Sequence, residues 1–219
     1  MIESGELDRY EGDVTAIRIA ELIASPVRGQ FDRAHLCEIH RRVFQDLPRH
    51  TPGQFRPDAV AHIKLRQLES LPHRYRVFYA PRSIVEAGLA SALQPLQALH
   101  EWRSLNADEF SVRMTGLYGD LDYLHPFGEG NSRTLRVFTA QLATEAGHAL
   151  DWDTANVSAT SRDRLYIARD AEVARRFLAN ANSEEQIKAY AQIARLAEGG
   201  TSLQYLIQAS ISSGLGTAE

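Results

Sequence analysis

The sequence predicts an all-α domain that carries one short β-hairpin. Apolar side chains recur every three or four residues along most of the 219-residue chain, as they do on the buried face of a helix. This helical period disappears between Arg56 and Pro81, where two short β-prone runs, 60–64 and 75–79, flank a polar stretch. We expect these runs to form a hairpin beside a helical bundle.

Two helices are predicted before the hairpin. The first covers residues 14–23, and the second covers 31–47 with Asp32 as its cap. His35 and His40 lie within the second helix. Because no metal-type partner accompanies them in the sequence, we interpret both as core residues.

Six further helices are predicted after the hairpin. Ser83 with Glu86 and Ser183 with Gln186 have the spacing of capping boxes, and Ser161 is predicted to cap the helix that follows it. The six helices cover about residues 83–102, 107–124, 131–146, 161–177, 183–198 and 203–211.

The chain is predicted to form a single domain, because no repeat, linker or low-complexity block divides it. We expect the domain to span 1–211, with a core at about 31–180 and C-terminal helices at about 184–211. The small-residue tail, 212–219, is expected to be mobile.

Composition excludes several classes of function. The net charge of −4, with both signs mixed along the chain, gives no basic footprint for nucleic acid. The single cysteine, Cys37, cannot form an internal disulfide, and no apolar run approaches membrane-spanning length. The acidic amino terminus differs from a secretion signal. We therefore expect a cytoplasmic protein, while export by a route without a signal peptide stays open.

The most informative stretch is residues 125–136, His-Pro-Phe-Gly-Glu-Gly-Asn-Ser-Arg-Thr-Leu-Arg, which joins two predicted core helices. Gly130, Asn131 and Ser132 mark the start of the second helix, where unpaired amides and the helix dipole favour phosphate. Arg133 and Arg136 are three residues apart and so share a helix face, from which their guanidinium groups can bind further phosphate oxygens.

The remaining polar side chains of this stretch add metal and proton chemistry. Glu129 offers an oxygen ligand for Mg²⁺, which commonly binds one or two carboxylates together with substrate phosphates. His125 is the nearby group that can accept a proton at neutral pH. The sequence thus predicts a site for a nucleotide polyphosphate.

Residues 125–136 closely resemble the Fic motif, H-x-F-x-(D/E)-G-N-G-R-x-x-R. They match every specified position except one, because Ser132 stands where the pattern has its second glycine. Residues 31–46 and 52–56 also resemble the stretch that precedes the active-site flap in Fic proteins. The resemblance implies an all-helical Fic fold and an enzyme that transfers AMP from ATP to a hydroxyl of a target protein.

Roles for individual residues follow from the same resemblance. His125 would be the general base, Glu129 would hold Mg²⁺, and the target would dock on the flap at about 60–80. The nucleotide would be bound by Gly130, Asn131, Ser132, Arg133, Arg136 and Lys64. We expect Ser132 to weaken or retune ATP binding, because its Cβ and hydroxyl occupy space that glycine leaves open.

The resemblance also bears on regulation. Many Fic enzymes are inhibited by a helix bearing Ser/Thr-x-x-x-Glu-Gly/Asn, whose glutamate pairs with the second motif arginine, here Arg136. This chain has no complete match, and we take the segment 194–199 around Glu198, which lacks the hydroxyl residue, as the nearest one. Either a separate antitoxin-like protein inhibits a toxin-like enzyme, which we favour, or Glu198 acts from a degenerate helix.

Two alternatives to AMP transfer remain open from the sequence. The same fold could use another nucleotide, a phosphocholine donor or the reverse reaction, removal of AMP. The chain could also be a non-catalytic interaction module, in which Ser132 prevents nucleotide binding and the flap still binds a partner strand.

Overall fold

The computed structural model describes residues 4–57 and 62–213, and helices make up most of it. The α-helices are α1 (Ser4–Ala24), α2 (Arg33–Phe44), α3 (Arg82–Leu93), α4 (Leu99–Arg103), α5 (Ala107–Leu124), α6 (Asn131–Glu145), α7 (Ala159–Leu178), α8 (Glu184–Ala197) and α9 (Leu203–Ala209). Two antiparallel strand pairs join β1 (His62–Gln67) to β2 (Arg74–Tyr79), and β3 (His148–Leu150) to β4 (Ile211–Ser213). The predicted helical fold with a β-hairpin is confirmed.

Helix α5 lies at the centre of the domain and contacts α3, α6, α7 and α9. It begins at the predicted residue because Asn106 and Glu109 form a capping box that satisfies the first amides. Its buried face carries Phe110, Met114 and Leu121, each fully buried. This packing fixes the end of α5, from which the motif loop departs.

The helix predicted over 83–102 is divided into three pieces. Its N-cap is Pro81, and Glu86 accepts a hydrogen bond from Arg82 instead of closing the predicted box with Ser83. The α-helix stops at Leu93, and a 3-10 segment (Gln94–Ala98) connects it to α4. The break has a local cause, because Pro95 lacks the amide hydrogen that an α-helix requires.

Several other helix ends differ from prediction, including that of α2, which stops at Phe44 and not at residue 47. Helix α1 begins earlier, at Ser4, and α7 is capped by Ser158, with Ser161 completing its capping box. Helix α9 ends at Ala209. The next residues pair with β3, so residues 212 and 213, predicted to be part of a mobile tail, lie in a strand. Residues 214–219, like 60–61 of the predicted first strand, lie outside the described ranges.

The β1–β2 hairpin is anchored to α7 and forms the flap of the domain. A second hydrophobic cluster packs β2 against α7 and α8. The guanidinium of Arg66 and the hydroxyl of Tyr75 both donate to the buried carboxylate of Asp170, over distances of 2.8–3.0 Å. Asp163 accepts hydrogen bonds from the amides of Glu69 and Ser70 beyond β1. The flap is therefore held by charge-assisted contacts as well as by apolar packing.

Within the described ranges, no helix is both long enough and apolar enough to cross a membrane.

Candidate nucleotide and proton-transfer site

His125 caps the C-terminus of α5 in the left-handed region, with φ 44° and ψ 59°. Its amide donates to Leu121 O at 3.2 Å, and its carbonyl accepts from Arg56 Nε at 2.8 Å. Arg56 also donates to Ala80 O, so one buried guanidinium joins the motif loop to the end of the flap. Non-glycine residues seldom adopt this backbone conformation. It persists at His125 because the surrounding hydrogen bonds impose it.

The imidazole of His125 is oriented by a contact at Nδ1. Nδ1 lies 3.3 Å from the backbone oxygen of Asp122, whereas Nε2 is buried and has no hydrogen-bond partner among the described residues. Burial lowers the pKa of His125 to about 4, against the opposing effect of the Asp122 carboxylate. The ring is therefore neutral at physiological pH and can accept a proton.

Two flap side chains border this ring. Tyr79 stacks on His125 with ring centroids 3.8 Å apart, and the ring of His62 lies 5.1 Å away. The hydroxyl of Tyr79 and Nε2 of His62 are also buried without partners among the described residues. Such buried polar atoms usually pair with water or a ligand. Three of them belong to rings that lie together around His125.

The loop after His125 is stabilised by hydrogen bonds of the Asn131 side chain to the backbone of Phe127. Asn131 Oδ1 accepts from the amide of Phe127 at 3.0 Å, and Asn131 Nδ2 donates to the Phe127 carbonyl at 2.8 Å. Gly130 has φ 79°, and a Cβ there would lie 2.2 Å from the Phe44 ring. Position 130 thus requires glycine, both for its backbone angle and for lack of space. Asn131 holds the loop in place through the two hydrogen bonds of its side chain.

Helix α6 begins directly after Gly130, and no side chain in the described part of the protein caps it. Its first-turn amides therefore lack helical partners, and the positive end of the helix dipole lies there. This arrangement favours a phosphate group. The structure thus keeps Gly130, Asn131 and Ser132 together at a helix start, as predicted.

Ser132 makes a contact that glycine could not make. Its hydroxyl accepts a hydrogen bond of 2.8 Å from Arg169 Nη1. Arg169 lies on α7 and is paired with Asp122, and both residues are buried. Ser132 is therefore hydrogen-bonded to the buried ion pair of Arg169 and Asp122.

The two motif arginines have different environments. Arg133 donates to the carboxylate of Glu11 at 2.5 Å and to Thr15 Oγ1 at 3.0 Å, both on α1. Arg136 is half-buried and has no carboxylate partner within the described part of the chain. Burial lowers the pKa of Arg136 from its usual value. An unpaired, partly desolvated guanidinium is suited to an anionic ligand.

Glu129 is the residue in this loop that could hold Mg²⁺. Its side chain is 58% exposed and accepts from Lys64 Nζ at 2.9 Å. The described residues contain no group of three or more acidic, histidine or cysteine side chains that would enclose a metal. A single carboxylate fits Mg²⁺ when phosphate oxygens and water complete the coordination. Lys64, predicted to bind the nucleotide, is thus paired with Glu129.

Several residues that support the site were not singled out from the sequence for this role. His40 stacks on Phe127 with centroids 3.8 Å apart. Its Nδ1 accepts from the amide of Gly53 at 2.8 Å, so its Nε2 hydrogen can donate to Glu129 O at 3.1 Å. The interpretation of His40 as a core residue holds, but it also fixes the motif loop. Arg56 lies in the stretch 52–56 that resembles Fic proteins, whereas Asp122 and Arg169 have no comparable sequence signal.

Glu11 was also missed, although a partial signal existed. Glu11-Gly12 has the Glu-Gly ending of the inhibitory pattern, but Leu7 stands where a serine or threonine is specified. Glu198, which the sequence suggests as an inhibitory glutamate, is exposed at the C-cap of α8. The glutamate that contacts a motif arginine is therefore on α1, and the arginine is Arg133.

Comparison with known proteins identifies the family and the fold. The profile of the Fic/DOC family matches residues 30–143. A solved structure, the N-terminal Fic domain of a VirB-translocated effector from Bartonella quintana with bound ADP, superposes with a TM-score of 0.70. The match covers 98% of this chain and 88% of that one, at 20% sequence identity.

Two curated relatives are named as protein adenylyltransferases. VbhT from Bartonella schoenbuchensis is 34% identical over 69% of this chain, and a protein adenylyltransferase from Bartonella henselae is 31% identical over 63% of it. These alignments cover 29% and 25% of the relatives' own lengths. The chain thus spans less than a third of each.

Proposed function

Because the chain belongs to the Fic/DOC family, we propose that it is a protein adenylyltransferase, which transfers AMP from ATP to a hydroxyl side chain of a target protein. One observation carries the proposal. Among the described residues, the neutral imidazole of His125 has no hydrogen-bond partner for Nε2 and lies at one end of a short loop. The other end of that loop is the start of α6, which no described side chain caps. The names of the curated relatives support the same reaction.

In this reaction the oxygen of a target Ser, Thr or Tyr attacks the α-phosphorus of ATP. His125 Nε2 accepts the hydroxyl proton, the bond to the β-phosphate oxygen breaks, and pyrophosphate leaves. The amides at the start of α6 and the guanidinium of Arg136 stabilise the charge on the phosphates. Magnesium bound by Glu129 and phosphate oxygens would supply further charge neutralisation.

The flap is the proposed docking site for the target. Within the described residues β1 pairs with β2 alone, so its other edge retains backbone donors and acceptors. Ile63 and Leu65, 42% and 53% exposed, offer apolar contacts on this strand. An extended segment of a target can add to such an edge, with affinity from backbone hydrogen bonds.

A separate antitoxin-like inhibitor remains part of the proposal. Arg136 is not engaged by a carboxylate within the described ranges, so a glutamate from another protein could still pair with it. Intramolecular pairing involves Glu11 and Arg133 instead.

Incubation of the protein and a cell lysate with ATP labelled on the α-phosphate tests the function. We expect label to appear on a target with the wild type and to be lost with His125→Ala, which should still bind Mg·ATP in calorimetry. His100→Ala changes an exposed histidine on α4 and is the matched control. Labelling by His125→Ala at the wild-type rate would refute the assigned base. Failure of the wild type to bind Mg·ATP would instead favour the interaction module.

A further inference from the structure

Arg169 joins the histidine end of the motif to the helix start that follows it. Its guanidinium is 2% exposed and contacts both carboxylate oxygens of Asp122, at 2.9–3.1 Å. Its remaining terminal nitrogen, Nη1, donates to Ser132 Oγ at 2.8 Å. One side chain on α7 therefore links α5 to the first turn of α6.

The two partners of Arg169 lie next to the groups that the reaction uses. Asp122 Oδ1 is 3.7 Å from Nδ1 of His125. Ser132 lies in the first turn of α6, whose amides can bind an anion. A glycine at 132 would have no atom to accept from Arg169, so this link depends on the serine that departs from the family pattern.

We propose that Arg169 is a positioning residue, which couples the general base His125 to the phosphate-binding start of α6 through Asp122 and Ser132. The inference rests on the proposed function, since His125 and α6 have these roles in that reaction. A planar guanidinium can hold a carboxylate and a hydroxyl at once in fixed geometry, whereas a single ammonium group is a point charge. Ser132 is then an anchor for the helix start.

The charge of Arg169 gives the network a measurable signature. Arg169 neutralises Asp122, whose carboxylate would otherwise stabilise a protonated His125 and raise its pKa. The other charged or titratable groups near His125 belong to different elements and stay unchanged when Arg169 is replaced. These groups are His62 and Lys64 on β1, Tyr79 on β2, and Arg56 before the flap.

Two measurements without a target protein test the coupling. NMR titration follows the His125 imidazole, and calorimetry follows Mg·ATP binding. We expect Arg169→Gln to raise the pKa of His125 by about one unit or more, because Asp122 is no longer neutralised. Arg169→Lys keeps the charge and should leave this pKa near its wild-type value.

The hydroxyl link is tested with Ser132→Ala in two backgrounds. In the wild type we expect the substitution to weaken Mg·ATP binding about three- to tenfold, the usual net effect of one hydrogen bond. In the Arg169→Lys background a single ammonium group cannot reproduce the fork that reaches both Asp122 and Ser132, so the same substitution should change binding less than about twofold.

Two results would overturn the inference. One is an unchanged His125 titration in folded Arg169→Gln, and the other is an equal effect of Ser132→Ala in both backgrounds. If Arg169→Gln fails to fold, the two-background comparison decides alone. If the wild type does not bind Mg·ATP, the proposed function fails, and the titration of His125 still decides the role of Arg169.

Discussion

The carboxylate of Glu11 accepts a hydrogen bond of 2.5 Å from the guanidinium of Arg133. Glu11 also pairs with Arg49 and with Nε2 of His50, and its side chain is 15% exposed. A predicted phosphate-binding arginine thus already has an anionic partner within the protein. The same carboxylate balances the positive charge of two arginines, Arg133 and Arg49, beside the candidate nucleotide site.

Removing this carboxylate should strengthen nucleotide binding. In Glu11→Gln, Arg133 and Arg49 lose their counterion, so the positive potential offered to ATP phosphates increases. We expect the dissociation constant for Mg·ATP to fall about three- to tenfold, which corresponds to roughly 1 kcal/mol. Isothermal calorimetry measures it. Glu38→Gln, which breaks the Arg41 pair on α2, is the control. Weaker binding by Glu11→Gln would mean that Glu11 orients Arg133 for the ligand.

Acid stability should depend on the same residue. Burial alone would raise the pKa of Glu11, but its hydrogen bonds to Arg133, Arg49 and His50 outweigh burial and lower the pKa to about 2. A lowered pKa contributes stability above the unfolded value near 4.5, and this contribution is lost as pH falls toward 2. We expect about 1–2 kcal/mol between wild type and Glu11→Gln at pH 6, shrinking toward zero near pH 2.

Urea unfolding at several pH values measures this difference. The control is Glu198→Gln, which alters an exposed carboxylate at the end of α8. A gap between wild type and Glu11→Gln that stays constant from pH 6 to pH 2 would contradict the assignment.

Gly130 should be the least replaceable glycine of the motif loop. In Gly130→Ala the new Cβ meets both a positive φ and the ring of Phe44, so we expect a loss of about 2–5 kcal/mol in the free energy of unfolding. Gly147→Ala keeps the positive φ without a neighbour within 4 Å and should cost about 1–2 kcal/mol. Gly128→Ala has open space and should change stability by less than about 0.5 kcal/mol. Equal losses in all three would disprove this ranking.

Arg136 should matter more for ATP binding than Arg133. Its guanidinium is half-buried without a carboxylate partner among the described residues, so its charge is available to a phosphate. We expect Arg136→Met to weaken Mg·ATP binding at least about tenfold without lowering the melting temperature. Arg133→Met should cause a smaller loss, since Glu11 offsets the charge of Arg133. Calorimetry and thermal unfolding on both variants check this, and the reverse order of affinities would contradict it.

Local patterns predicted much of the fold. The core helix at 107–124 and the start of α6 at Asn131 were located by apolar spacing and by the motif, because both depend on neighbouring residues. Boundaries failed where two local signals competed, as at Ser83 and Pro81. The strand Ile211–Ser213 was missed because it exists through pairing with His148–Leu150, far away in the chain.

By itself, the sequence determined the helical class, the hairpin and the grouping of His125, Glu129 and the candidate phosphate-binding helix start in one short loop. The tertiary structure decided which side chains hold that loop, namely Glu11 on Arg133 and Arg169 between Asp122 and Ser132. The physical reason is that these partners are 37 to 122 residues apart along the chain. No periodic pattern or propensity encodes such contacts, and they form when packing brings α1 and α7 against the motif.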